Sequence, residues 1–117
     1  MKINKNNTGL QAEQMAATFL INSGLSLGAQ NYHCRFGEID LIMQEAETLV
    51  FIEVRLWSSN QFGGAAESIT RHKQQKLIAT AQYFLQTQPN RPCRFDAILM
   101  NKTNFQDIEW PRNAFDA

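Results

Sequence analysis

Around Gly28 the apolar residues of this chain change period, and that change limits the fold more than any other feature. Upstream, Ala12, Met15, Ala16, Phe19 and Leu20 recur at the spacing of a helix with one buried face. Thr8-Gly9-Leu10-Gln11 has the form of a capping box, and Asn22-Ser23-Gly24 is a stop signal. Downstream, short segments rich in β-branched and aromatic residues read as strands over Gln30–Arg35, Glu38–Met43 and Thr48–Arg55. Gly37 is the expected site of a bulge.

A loop with Ser58-Ser59-Asn60 and Gly63-Gly64 then leads to a second helix over Ser68–Gln88, capped at Ser68 or Thr70. Leu77, Ile78, Ala81, Phe84 and Leu85 form its apolar stripe, and Pro89 and Pro92 end it. Strands over Phe95–Met100 and Gln106–Trp110 complete the order α-β-β-β-α-β-β. This order predicts an α/β fold, a mixed β-sheet flanked by helices, in which the second helix permits one parallel strand pair. With 117 residues and no internal repeat or linker, one domain over residues 1–117 is expected.

Composition removes several function classes. A hydrophobic share of 44% excludes disorder, and 6 Gly and 3 Pro exclude collagen-like repetition. The 11 Lys+Arg balance 11 Asp+Glu, which excludes a protein that coats nucleic acid by charge alone. Cys34 and Cys93 read as reduced, half-buried core residues; with only His33 and His72 and no C-x-x-C, no structural zinc site is expected. Met1–Thr8 lacks an apolar signal region, and no apolar run reaches membrane-spanning length, so a cytoplasmic protein without membrane association is expected.

Two carboxylates interrupt the apolar strands. Asp40 lies in Gly37-Glu38-Ile39-Asp40-Leu41-Ile42 and Glu53 in Val50-Phe51-Ile52-Glu53-Val54-Arg55. A hairpin around Glu45–Thr48 that pairs Gln44 with Leu49 sets Asp40 opposite Glu53 and Glu38 opposite Arg55. Opposed carboxylates repel. A shared proton, a cation or a slipped register relieves them, and oxygen ligands without His or Cys suit Mg²⁺ or Mn²⁺. Such an ion beside a phosphodiester polarises it and acidifies a bound water, while Arg55 stabilises charge developing on the phosphoryl oxygens. Read alone, the same residues also fit solvated strand-end charges, with Glu38 and Arg55 as a cross-strand ion pair.

Asn31-Tyr32, Arg35-Phe36-Gly37-Glu38-Ile39-Asp40-Leu41-Ile42, Val50-Phe51-Ile52-Glu53-Val54-Arg55 and Arg94-Phe95-Asp96 resemble the bacterial YraN family. Gly9, Glu13 and Ala16, Lys73-Gln74 and Asn113-Ala114-Phe115 extend the likeness over nearly the whole chain. That uncharacterised family is similar to archaeal Holliday-junction resolvases and to the restriction-endonuclease-like fold. The resemblance implies a restriction-endonuclease-like core with the PD-(D/E)xK arrangement. It makes Asp40 and Glu53 metal-binding acids, Glu13 a helix residue assisting the metal, and Gln74 a polar residue orienting water or the metal shell. Gln74, three residues before Leu77, also falls on the sheet-facing stripe by spacing.

The implied activity is metal-dependent hydrolysis of structured or branched DNA. Arg71, Lys73 and Lys76 would hold the phosphate backbone, and Trp57 would be core, interface or a base-stacking platform. A two-fold homodimer is implied by analogy with branched-DNA enzymes. One departure stands out: Arg55 replaces the family's usual Lys, and Leu56-Trp57 replaces a polar Thr-Arg. Arg remains protonated and is a poor general base, yet it stabilises a phosphorane electrostatically. Two other readings follow. One is a catalytically weakened nucleic-acid-binding module; the other is a protein–protein adaptor using Trp57, Phe62, Trp110 and Phe115.

Overall fold

Leu49-Val50-Phe51-Ile52 and Phe95–Met100 are apolar at nearly every position, a pattern that suits strands covered on both faces. The computed structural model, which describes residues 7–57 and 69–116, places them as the two central parallel neighbours of a five-stranded sheet. The elements are α1 (Asn7–Asn22), β1 (Ser26–Cys34), β2 (Gly37–Glu45), β3 (Thr48–Trp57), α2 (Arg71–Leu85), β4 (Cys93–Asn101) and β5 (Asn104–Glu109). Strand order follows chain order. The pairs β1–β2, β2–β3 and β4–β5 are antiparallel, and α2 makes the crossover that allows β3 and β4 to run parallel. The α-β-β-β-α-β-β order and the mixed sheet are as the sequence predicts.

Each face of the sheet carries one helix. Ala12, Ala16, Ala17 and Leu20 of α1 pack on Leu41, Met43, Val50, Ile52, Ile98 and Met100. Leu77 and Ala81 of α2 pack on Ile42, Leu49, Phe51, Phe95, Ala97 and Leu99. No helix among the described residues is long and apolar enough to cross a membrane.

Several ends differ from the sequence expectation. Helix α1 already includes Asn7, so Thr8 sits inside its first turn rather than at its cap. Its other end closes as expected. Gly24, at φ 105°, donates to the Ile21 carbonyl, and Leu25 N–H reaches back to that of Leu20, both at 3.0 Å. Thr70 caps α2, its Oγ1 accepting from Lys73 N–H at 3.2 Å, whereas Ser68 lies outside the described residues. The bulge is at Gly28, between Leu27 and Ala29, and not at Gly37. Gly37 instead follows the Arg35-Phe36 turn at φ 153°, so close to α2 that a Cβ there would stand 3.0 Å from Thr80 Oγ1. Cys34 is half-buried and Cys93 exposed, so Cys93 is not the core residue expected; both are free thiols.

The local feature that shapes the site is a change of face in the β1–β2 hairpin. Leu41 belongs to the α1 core and Ile39, two residues earlier, to the α2 core. Strict alternation would put both on one face. On β1, Ala29 and Tyr32 both pack against the α2 core although they are three residues apart. The register is unbroken from Gln30↔Leu41 to Tyr32↔Ile39, so both strands turn over together at Asn31 and Asp40. Asn31 absorbs the turn at φ 51°, a conformation Asn tolerates better than most residues.

Candidate metal and nucleic-acid site

The β2–β3 ladder has the predicted register, from Glu45↔Thr48 to Leu41↔Ile52, and ends there. One step further, where Asp40 and Glu53 follow, the backbone pairing gives way to a side chain. Asp40 Oδ2 accepts the Val54 backbone N–H at 2.9 Å. The ladder therefore does not carry Glu38 to a position opposite Arg55. Glu38 pairs across β1 with His33, and Arg55 reaches along its own strand to Glu53, Nη1 to Oε2 at 3.3 Å.

Asp40 and Glu53 do meet. Their carboxyl groups share a side-chain hydrogen bond, and the Glu53 side chain is only 14% exposed. Burial raises the Glu53 pKa from its ordinary 4.5 to about 7, and the neighbouring charge of Asp40 and its hydrogen bond add to the rise. Arg55 and Lys73 pull the other way. The arrangement is a half-buried acid pair near the edge that β3 presents past the end of the ladder, with cations at its rim.

Two recesses flank it. Glu38, Glu53, Lys73, Lys76 and Leu77 line one of about 140 Å³ between β3 and α2. Gly9, Ala12, Glu13, Val54, Arg55 and Leu56 line another of about 290 Å³ between β3 and α1. Arg55 thus touches the acid pair and faces the recess that holds Glu13. Glu13 is 7% exposed, held against the sheet by the same helix face as Ala12 and Ala16. Asp40 and Glu53 come together, with Arg55, Lys73 and Lys76 around them. Glu13 stands in the second recess, and among the described residues no three His, Cys, Asp or Glu side chains converge on one point.

The remaining candidates are placed as follows. Gln74 is half-buried and its Nε2 donates to the Ile69 carbonyl at 3.0 Å, tying the start of α2 to the segment before it. Arg71, Lys73 and Lys76 are exposed on α2. Trp57 packs against the α2-side core at the end of β3. The aromatic residues of the adaptor reading are largely taken up by packing: Trp110 meets Phe19 edge-on at 6.0 Å and Phe115 stacks on Phe95 at 4.9 Å. Phe62 and the Gly63-Gly64 loop lie outside the described residues. Sequence reasoning did not find the company Glu38 keeps with Lys73 and Lys76, nor the exposed aromatic pair Phe36 and Tyr83. The only signal for the latter was an aromatic next to Gly37 where a polar turn residue is usual.

The sequence matches the family model of Uncharacterised protein family UPF0102 over residues 12–100. A UPF0102 protein of Nitrosomonas europaea is 56% identical over 111 residues, covering 94% of each chain. One from Methylobacillus flagellatus is 54% identical over 109 residues, 93% of this chain and 96% of that relative. One from Saccharophagus degradans is 50% identical over 113 residues, 94% of this chain and 93% of the relative.

Proposed function

The chain belongs to the UPF0102, or YraN, family, and from that premise we propose that it is a metal-dependent endonuclease-like protein that binds structured or branched DNA and hydrolyses phosphodiester bonds. The observation that carries this reading is the half-buried Asp40–Glu53 acid pair near the edge of β3, rimmed by Arg55 and Lys73. Two neighbouring carboxylates, one of them largely withdrawn from water, cost stability unless a proton or a cation joins them.

The donor set fits Mg²⁺ or Mn²⁺. All the ligands are hard carboxylate oxygens, and Mg²⁺ is commonly held by one or two carboxylates, the rest of its shell being water and substrate phosphate. Asp40 and Glu53 would hold it. When bound, the ion would polarise the phosphodiester and acidify a water. Arg55, permanently charged, stabilises negative charge growing on the phosphoryl oxygens and offsets the charge of Glu53. Lys73 and Lys76 hold the phosphate backbone from α2 as point charges. Glu13 lines the same recess as Arg55, where it would position a water beside the guanidinium, and Gln74 fixes the start of α2 through Ile69.

The test is cleavage of labelled branched, single-stranded and duplex DNA with Mg²⁺, Mn²⁺ or a chelator. Cleavage that requires the ion and disappears in Asp40→Ala and Glu53→Ala is expected. Ion-dependent cleavage that persists unchanged in both variants rejects the site. A second reading is favoured by one contact, the Arg55–Glu53 ion pair in place of a lysine. It is a module that binds the same DNA with little or no hydrolysis, marked by salt-sensitive binding without cleavage.

A further inference from the structure

Phe36 and Tyr83 are both large, both aromatic and both exposed, at 39% and 43%. Their ring centroids lie 6.0 Å apart at an interplanar angle of 59°, and the Arg35 guanidinium sits 4.8 Å over the Phe36 ring. They come from different elements. Phe36 is in the two-residue turn between β1 and β2, and Tyr83 is in the last turns of α2. Gly37 allows the approach, because its lack of a side chain lets the turn lie against Lys76 and Thr80. A buried contact would explain aromatics that pin a turn to a helix, but these rings keep much of their surface in water.

The pair is in line with the acid site. Lys73, Lys76, Thr80 and Tyr83 follow the three- and four-residue spacing of one helix face. Thr80 is buried beneath it, while Lys73 and Lys76 line the recess that contains Glu53. Phe36 immediately precedes β2 and Asp40 is the fourth residue of that strand, so at most about 13 Å of chain at the rise of a strand separates them. Along that distance the surface carries, in order, an aromatic pair with a guanidinium, two ammonium groups and the acid pair. Planar rings followed by regularly placed cations complement unpaired nucleotides, whose bases stack and whose phosphates are anionic. A duplex offers only stacked, covered base faces to such a surface.

Resting on the nucleic-acid reading above, we propose that Phe36 and Tyr83, with Arg35, form a stacking platform for an unpaired DNA base on the strand whose backbone Lys73 and Lys76 hold beside the acid site. The site then selects strands with unpaired nucleotides, such as flaps, overhangs and opened junctions, over uninterrupted duplex. Lys73 and Lys76 carry the backbone between the platform and the acid pair.

The experiment measures binding of the full chain at low salt, in a chelator, to three labelled DNAs: a single strand, a flap and a blunt duplex. Phe36→Leu and Tyr83→Leu keep apolar volume at each position while removing the ring. Each is expected to weaken flap and single-strand binding roughly 10-fold and to leave duplex binding unchanged, with Tyr83→Phe behaving as the parent. Lys76→Ala is expected to weaken all three. A 2-aminopurine base in the flap should lose fluorescence on binding the parent protein and regain it in Phe36→Leu, which reports stacking without depending on affinity. Equal binding of flap by the parent and both ring variants, or no fluorescence change at any flap position, overturns the platform while leaving the nuclease reading standing. Failure of the parent to bind any of the three DNAs, in a chelator and with Mg²⁺ alike, overturns both.

Discussion

The Asp40 carboxylate on β2 accepts the backbone N–H of Val54 on β3 at 2.9 Å, so a side chain closes a ladder that backbone carbonyls close everywhere before it. This gives Asp40 a structural task separable from its charge. Asparagine retains an oxygen that accepts the same bond, and alanine does not. At pH 8, where Glu53 is ionised, Asp40→Asn also relieves the repulsion across the acid pair. Urea unfolding should therefore find Asp40→Asn at least as stable as the parent and Asp40→Ala about 1–3 kcal/mol below Asp40→Asn, the cost of an unmet backbone donor. Equal stability of the two variants would contradict the assignment.

Glu53 predicts an unusual pH dependence. Its pKa is about 7 in the fold, raised by burial and by Asp40, against an ordinary 4.5. The folded chain therefore holds a proton that the unfolded chain releases. The stabilisation is complete below about 4.5 and is lost as the pH rises to about 7, on the order of 3 kcal/mol in all. Other carboxylates add their own pH dependence, so the quantity to measure is the unfolding free energy of the parent minus that of Glu53→Gln. That difference should decline as the pH is raised from 4.5 to 7. Mg²⁺ or Mn²⁺ bound by the ionised pair should move the decline to lower pH.

Arg55 is ion-paired with Glu53 at 3.3 Å and is one-quarter exposed. Arg55→Lys keeps a cation beside Glu53 and introduces an amine that can lose its proton when desolvated, which a guanidinium cannot do. If proton transfer limits hydrolysis, the lysine variant should cleave branched DNA about 10-fold faster or more, with the gain growing toward alkaline pH. Arg55→Gln should lose cleavage and raise the Glu53 pKa further, since Arg55 is a group that lowers it. A rate unchanged in Arg55→Lys, with DNA binding intact, points to the binding module.

How much of this was legible in the sequence depends on which rule each residue obeys. The β2–β3 register was, because the short Glu45–Thr48 connection leaves few pairings that keep Ile42 and Phe51 on one face, and Gln44↔Leu49 is the pairing found. The end of that ladder was not. Reading faces by strict alternation assumes a flat strand, and the joint turn-over at Asn31 and Asp40 breaks that assumption with both partners still in register. An Asn within a strand pattern was the only trace of it. The resemblance set Glu13 beside the metal-binding acids, but neither a likeness nor helical spacing says where along the sheet α1 lies. Glu13 accordingly lines the recess next to Arg55 and Leu56, not the one that holds Glu53. Gly28 and Gly37 are alike in sequence, and only the approach of α2 to Gly37 decides which one takes the turn and which the bulge.

Asp96 is a buried carboxylate whose two oxygens are both engaged within the fold. It is 1% exposed on β4 and accepts from Arg94 Nε at 3.0 and 3.1 Å, from Trp110 Nε1 at 2.9 Å and from Asn113 N–H at 2.9 Å. Arg94 continues to Glu45 at 2.8 Å, so one buried acid joins the end of β2 to β4 and to the closing segment. Alanine there leaves a half-buried guanidinium with a single acidic partner and two N–H donors with none at that point. The expected cost is about 3–5 kcal/mol in urea unfolding, with Asp96→Asn losing less because it keeps one acceptor. Trp110 also packs on Phe19 of α1, so its near-ultraviolet circular dichroism should weaken in Asp96→Ala before the sheet unfolds. The ion binding proposed for Asp40 and Glu53 should persist in the folded fraction. Loss of ion binding in a variant that still melts cooperatively would show that the two acid clusters are coupled through β3 and β4.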